Sequence, residues 1–395
     1  MTRPRAVLPA PPRSRLTGHL GRWGTDPLGT LEAGAREGEI FELRLWRRAV
    51  VGYSTQWNEA ILGDLETFRS RGGLSALSPY LNAGIVQTDP PEHRPARAAL
   101  NPGFTRSALA ALSETMRATI TARVPSGDFD AVPWSSSVVR AVLSATFLSS
   151  AEVDPVLDRW LGPMERPLPH PFLPRPQRFR AMNARLNDAV ATPPPGTLAE
   201  VFAAHGGVPE MRVALAAGYD TTAHTLAWLL AHVAADPDLL RPERHEAAIA
   251  ETLRLYPAGW TGSRRAAHDV TVAGVDIAEG TLVLYSPYLT HRDPVLWPEP
   301  TAFRPERFET GRAPAGYWGY IPFAAGPRTC LGRHYAQLLM RTALEVLSEH
   351  RLRYTGGDLT PRAGVTLTPV GPLHVNLRAP AGPHRTPTPS SKGRP

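Results

Sequence analysis

The chain of 395 residues contains one cysteine, Cys330, and one lysine, Lys392. A single cysteine excludes an internal disulfide and any multi-cysteine zinc or iron–sulfur site, so Cys330 works alone if it has a chemical role. Long hydrophobic runs are scarce as well: apolar stretches such as residues 225–235 fall short of the roughly 18 to 20 residues that span a bilayer. Residues 1–15 are rich in Arg and Pro and lack the apolar segment of a secretion signal. These absences predict a cytoplasmic chain with no membrane anchor. The formal charge of +7 comes almost wholly from arginine. No basic stripe interleaved with exposed aromatics accompanies it, so no nucleic-acid partner is expected. The surplus reads as a solvated surface, with room for one face that attracts an acidic protein.

With 42% hydrophobic residues the chain can bury a large core. No repeat or linker divides it, which predicts a single domain over residues 1–395, with residues 1–15 and 379–395 expected to be mobile because they are polar and Pro-rich. Apolar residues recur at helical spacing over residues 209–235, predicting one long, largely buried helix. Shorter helices are expected at residues 91–100, 107–124, 242–255 and 332–350, and strands at 38–51, 270–277, 281–285 and 374–377. Prolines crowd residues 163–176 and 193–195, which predicts surface loops there, forming a lid. The fold class is therefore mainly α with a small β region.

The chemistry concentrates in Phe323-Ala324-Ala325-Gly326-Pro327-Arg328-Thr329-Cys330-Leu331-Gly332, directly ahead of a helical run. A cysteine at a helix N-terminus meets the positive end of the helix dipole and unpaired N–H groups, which favour the thiolate. Gly326 and Gly332 let the backbone turn tightly and approach a flat ligand, and Arg328 offers a cation for a carboxylate on that ligand. Upstream, His93 and Arg97 lie four apart and share one helical face. Within the long helix, Ala217-Gly218-Tyr219-Asp220-Thr221-Thr222 combines a glycine with two β-branched residues, which predicts a locally weakened helix. Glu251 and Arg254 form an i, i+3 charged pair, and Arg307 follows in Phe303-Arg304-Pro305-Glu306-Arg307-Phe308.

The cysteine stretch resembles the FxxGxRxCxG loop of the cytochrome P-450 family at every fixed position: Phe323, Gly326, Arg328, Cys330 and Gly332. The other elements follow in that family's order, and the resemblance runs from about residue 68 to residue 377. It implies a fold with a long central helix over a heme b cofactor, and Cys330 as the iron ligand. It further implies that His93, Arg97, Arg264 and Arg328 hold the heme propionates, and that Phe323, Gly326, Gly332, Ala217 and Gly218 line the heme. Asp220 and Thr221 would pass protons to dioxygen, in room left by a kink, while Glu251, Arg254 and Arg307 brace the cysteine side. Two departures stand out. Residues 236–251 are shorter than is usual, predicting a truncated helix, and the Pro-rich stretch replaces the usual lid.

The activity implied is that of a heme-thiolate monooxygenase, oxidising and most simply hydroxylating a hydrophobic small molecule in secondary metabolism. Electrons would come from a ferredoxin and ferredoxin reductase, attracted by Arg328, Arg333 and Arg341. Oxidative coupling or ring formation on the same fold, a non-catalytic heme sensor, and a helical binding protein without heme stay open at this point.

Overall fold

The computed structural model describes residues 8–166, 169–379. The stretch 380–395, expected to be mobile, and residues 1–7 lie outside the described residues. From Leu8 onward the N-terminal stretch is anchored, contrary to expectation. Leu8 packs on an apolar cluster around Val50 and Trp57, Pro9 O accepts from Glu42 N at 2.8 Å, and His19 Nε2 bonds Pro11 O at 2.9 Å.

The expected mainly helical architecture with small sheets is present. Its centre is the helix Gly207–Ala235, 29 residues long and buried over most of its length. Around it pack Ala131–Leu148, Pro176–Ala191, His245–Leu255 and Arg333–Leu347. Their apolar side chains form the largest core cluster, including Trp160, Trp228, Leu229 and Leu344. Between the central helix and His245–Leu255 only two single 3₁₀ turns remain, Pro237–Leu240 and Pro242–Arg244, in keeping with the short spacing there.

Several helices were not expected from the sequence, the two longest being Ala131–Leu148 and Pro176–Ala191. Ala131–Leu148 is buried on nearly every side, so it shows no apolar stripe against a polar one. It is also long and apolar enough by composition to cross a membrane, although 67% of it is buried inside the fold, which corrects the reading that no segment reaches that length. Pro176–Ala191 runs for 16 residues between the two Pro-rich patches expected to be loops, where no helix was expected. Its proline sits at the first helical position, where the missing N–H costs nothing, and Pro193 to Pro195 follow its end. The expected helix over residues 107–124 is instead two, Arg106–Ala110 and Ser113–Thr121.

Five strands form the main sheet in the order Ile40–Arg44, Arg48–Gly52, Leu282–Tyr285, Gly262–Ala266, Phe68–Arg69. Arg264 lies opposite Val283 in its antiparallel ladder. Alternation along Gly262–Ala266 turns Arg264 inward while Arg265 stays exposed. A separate sheet pairs Leu373–Arg378 with Gly127–Asp130 and Arg351–Gly357.

Candidate functional site

The central helix, the sheet edge and the cysteine loop enclose a cavity of about 930 Å³. Its lining brings together His93, Arg97, Ala217, Gly218, Asp220, Thr221, Arg264, Phe323, Arg328, Cys330 and Gly332 from segments far apart in the chain. Trp260 and Thr261 line it too. Gly326 does not: its φ of +68° and the Leu62 carbonyl, 2.4 Å from where a Cβ would stand, make it a turn against the Thr55–Gly63 helix. Its expected place against a flat ligand is thus corrected. Gly332 does line the cavity, and a Cβ there would meet no atom within 4 Å, so its open side belongs to the cavity.

Cys330 N donates to Phe323 O at 2.9 Å, which closes the loop. The cysteine is free, and its exposed surface faces the cavity. Burial pushes the thiol up from its ordinary range, against the lowering pull of the Gly332 N–H and of Arg97 and Arg333. Cys330 stands three residues ahead of the helix, which begins at Arg333.

The cations show what the cavity fits. Arg97 Nε donates to Asn101 Oδ1 at 2.6 Å. Arg264 Nη1 donates to Ser263 O at 2.8 Å, and its guanidinium lies over the Tyr285 ring. Neither has a carboxylate partner among the described residues. His93 is buried with an unpartnered Nδ1, and burial together with Arg328 and Arg97 lowers its pKa to about 4. Arg264 is a buried cation and Arg97 a partly buried one, and such groups are costly without counter-ions, so the cavity fits a ligand carrying its own carboxylates, to which the neutral His93 ring offers an N–H. A soft thiol on the same wall fits the iron of a heme. Arg328 behaves otherwise. It pairs with Asp89 at 2.7 Å and donates to the carbonyls of Ile85 and Thr88, so its fork is already used, which corrects its role as a carboxylate clamp. Only its Nε lacks a partner.

Over the cavity the central helix runs on through the hexad. Thr221 Oγ1 donates to Ala217 O at 2.6 Å and Thr225 Oγ1 to Thr221 O at 2.7 Å, which lets the hydroxyls share the helix carbonyls. Asp220 Oδ2 accepts from Thr366 Oγ1 at 2.8 Å, and His224 Nδ1 lies 3.0 Å from that hydroxyl. Burial raises the Asp220 pKa, while His224 and Thr366 pull it down. Neither partner was found from the sequence: Thr366 lies 146 residues from Asp220, and a lone histidine on an apolar helix carries no motif.

Glu251, Arg254 and Arg307 do meet. Arg254 donates to both carboxylate oxygens of Glu251 at 2.7 and 2.8 Å, with both side chains fully buried. Arg307 Nε stands 3.4 Å from Glu251 Oε1. His291, which no sequence motif marked, joins this network. Its Nε2 accepts from Ile321 N at 2.9 Å, so Nδ1 carries the proton donated to Arg254 O. His291 thus ties the arginine to the segment that leads into the cysteine loop.

The family model for cytochrome P-450 matches residues 245–362. Cytochrome P-450 3A12 of Canis lupus familiaris is 36% identical over 152 residues, 32% of this chain and 30% of that protein. Cytochrome P-450 3A29 of Sus scrofa matches to the same extent. The matched region thus spans under a third of the length of these curated relatives. Among solved structures, CYP175A1 from Thermus thermophilus superposes with a TM-score of 0.78 at 26% identity, covering 91% of this chain and 97% of that one. The cyanobacterial CYP120A1, solved with retinoic acid bound, shares the fold with a TM-score of 0.80 at 22% identity, covering 94% and 100%. The chain thus has the cytochrome P-450 fold, matches that family over residues 245–362, and opens its cysteine loop on the cavity.

Proposed function

We propose that the protein is a heme-thiolate monooxygenase acting on a hydrophobic small molecule. The observation that carries this reading is a free thiol lining the same cavity as Arg97, Arg264 and His93, none of which has a carboxylate partner among the described residues. When bound by Cys330, heme b supplies an iron that activates dioxygen, with the sulfur deprotonated by ligation.

The chain's own residues supply the rest. Arg97, Arg264 and His93 bind the propionates and so fix the plane and rotation of the cofactor. Cys330 is held by its backbone bond to Phe323, and Gly332 leaves open space beside it. From the central helix Asp220 and Thr221 hold exchangeable protons at the cavity surface, as a carboxyl group and a hydroxyl. The remaining wall is apolar, with Leu77, Leu81, Phe202, Val213, Trp260 and Val365, so a hydrophobic substrate displaces water there.

Reducing equivalents come from a separate carrier, for which a ferredoxin with its reductase is the proposed source. Of the arginines expected to attract it, Arg328 is committed to Asp89, and Arg341 pairs with Glu246 at 2.9 Å. Arg333 remains, flanking His334 together with Arg106 at 3.2 and 3.4 Å, and this basic cluster suits an acidic partner. A cytoplasmic site agrees with a fold in which the membrane-length helix Ala131–Leu148 is mostly buried.

The test is turnover of a panel of hydrophobic compounds with a ferredoxin, its reductase and isotope-labelled dioxygen. One labelled oxygen atom in the product is expected. Product without label would favour coupling or ring formation, and no product with any donor would favour a sensor.

A further inference from the structure

Asp220 has one hydrogen-bond partner, the Thr366 hydroxyl, and its Oδ1 stands 3.6 Å from His224 Nδ1, beyond hydrogen-bond reach. Asp220 Oδ2 accepts from that hydroxyl, Oδ1 is buried without a hydrogen bond, and the carboxylate lines the cavity. Thr366 comes from the turn just before the strand Leu367–Pro369, held by Leu367 N donating to Ala258 O at 3.2 Å. On its far side the same hydroxyl meets His224 Nδ1, one helical turn beyond Asp220. Asp220 and Thr366 are each 3% exposed and His224 8%. His224 does not line the cavity, and its Nε2 makes no hydrogen bond to the described residues, so it is the ring nitrogen left free to take up a proton.

We propose that His224, acting through the Thr366 hydroxyl, orients Asp220 and ties the charge of its carboxyl to the imidazole tautomer. Both are positioning residues for the proton supply, and the inference rests on the monooxygenase reading above. Donor accounting gives the mechanism. A threonine hydroxyl has one proton. While Thr366 donates it to the Asp220 carboxylate, Nδ1 must donate to Thr366, so the ring holds its proton on Nδ1. When Asp220 becomes protonated on Oδ2, the hydroxyl turns to donate to Nδ1, and the ring proton sits on Nε2. One proton entering at Nε2 therefore converts the first state into the second. The Nε2–H bond forms, Nδ1–H is exchanged for a new Thr366 O–H, and the old Thr366 proton ends on Oδ2. No electron moves, and the carboxyl group facing the cavity has gained the proton.

The other groups around Asp220 do not replace this pair. Burial and the charge of Glu165 both oppose ionisation of Asp220, and Glu165 is itself held by Arg140 and by the Tyr219 hydroxyl. Only His224 and Thr366 favour the carboxylate.

The experiment compares the heme-loaded wild type with Thr366→Val, Thr366→Ser, His224→Leu and His224→Asn. NADPH oxidation is driven through a ferredoxin and its reductase in light and heavy water, and ring nitrogens are followed by NMR in nitrogen-labelled protein. Asparagine keeps a donor at the Nδ1 position, and serine keeps the hydroxyl. The expected result is a roughly tenfold or larger slowing with a raised solvent isotope effect in Thr366→Val and His224→Leu, and recovery of most of the rate in Thr366→Ser and His224→Asn. The His224 ring is expected to carry its proton on Nδ1 in the wild type and to lose that preference in Thr366→Val. Equal rates across the set, or a wild-type ring protonated on Nε2 alone at alkaline pH, would overturn the inference. A wild type lacking the thiolate signature with carbon monoxide would instead overturn the monooxygenase reading, and the NMR result distinguishes the two because it needs no turnover.

Discussion

Glu251 has no exposed surface and accepts from Arg254 through both oxygens, with Arg304 N and Arg307 adding to one of them. Replacing it with alanine strands a fully buried guanidinium, which costs about 3–5 kcal/mol. Glu251→Ala should lower the denaturation free energy by that amount and reduce the heme retained per chain. A variant with unchanged stability would show that the pair braces nothing. Thr221 is a milder case, since its hydroxyl bonds a helix carbonyl and also faces the cavity. Thr221→Ala should raise the share of reducing equivalents lost as peroxide, with Thr221→Ser restoring the wild-type share; unchanged coupling in the alanine variant would remove Thr221 from the proton supply. At this scale legibility depended on local spacing. Cys330, His93, Arg97 and Asp220 stand in short patterns, and all four reach the cavity. His291 and Thr366 act through partners 30 or more residues away, so no local pattern exposes them.

The helix Ala131–Leu148 begins at Asp130, whose side chain accepts from Val132 N and from Leu373 N, both at 3.0 Å. One carboxylate therefore caps a core helix and pins the sheet beside it. Asp130→Ala should destabilise the fold by about 1–2 kcal/mol in chemical denaturation, and Asp130→Asn, which keeps an acceptor, by less. Equal losses in both variants would mean that charge, not acceptance, matters there. Element existence was legible where helical spacing of apolar residues runs long, as in Gly207–Ala235, or where strands alternate, as in Ile40–Arg44 with Arg48–Gly52. It failed where burial is all-round, in Ala131–Leu148, and where prolines mark helix ends, around Pro176–Ala191. In the second case proline density was legible but its position relative to the helix was not.

The whole molecule buries several histidines in the neutral form. Burial lowers His291 to about 3 and His232 to about 4, against 6.5 for an ordinary histidine. A folded-state pKa below the unfolded one means that the unfolded chain binds protons first on acidification. Stability contributed by these rings is complete above about pH 6.5 and is lost as pH falls towards their folded values. The urea midpoint should therefore drop between about pH 7 and about pH 5, and His232→Gln should drop less steeply than the wild type. Parallel slopes for the two proteins would contradict a buried neutral His232. The whole-molecule claim itself is that the cavity exists to place a heme against Cys330. The most direct measurement is the difference spectrum of the dithionite-reduced protein with and without carbon monoxide, for the native chain and for Cys330→Ser. A strongly red-shifted Soret band in the native chain alone is the result this account predicts. A colourless protein after heme supplementation, or a band typical of histidine ligation, would contradict it.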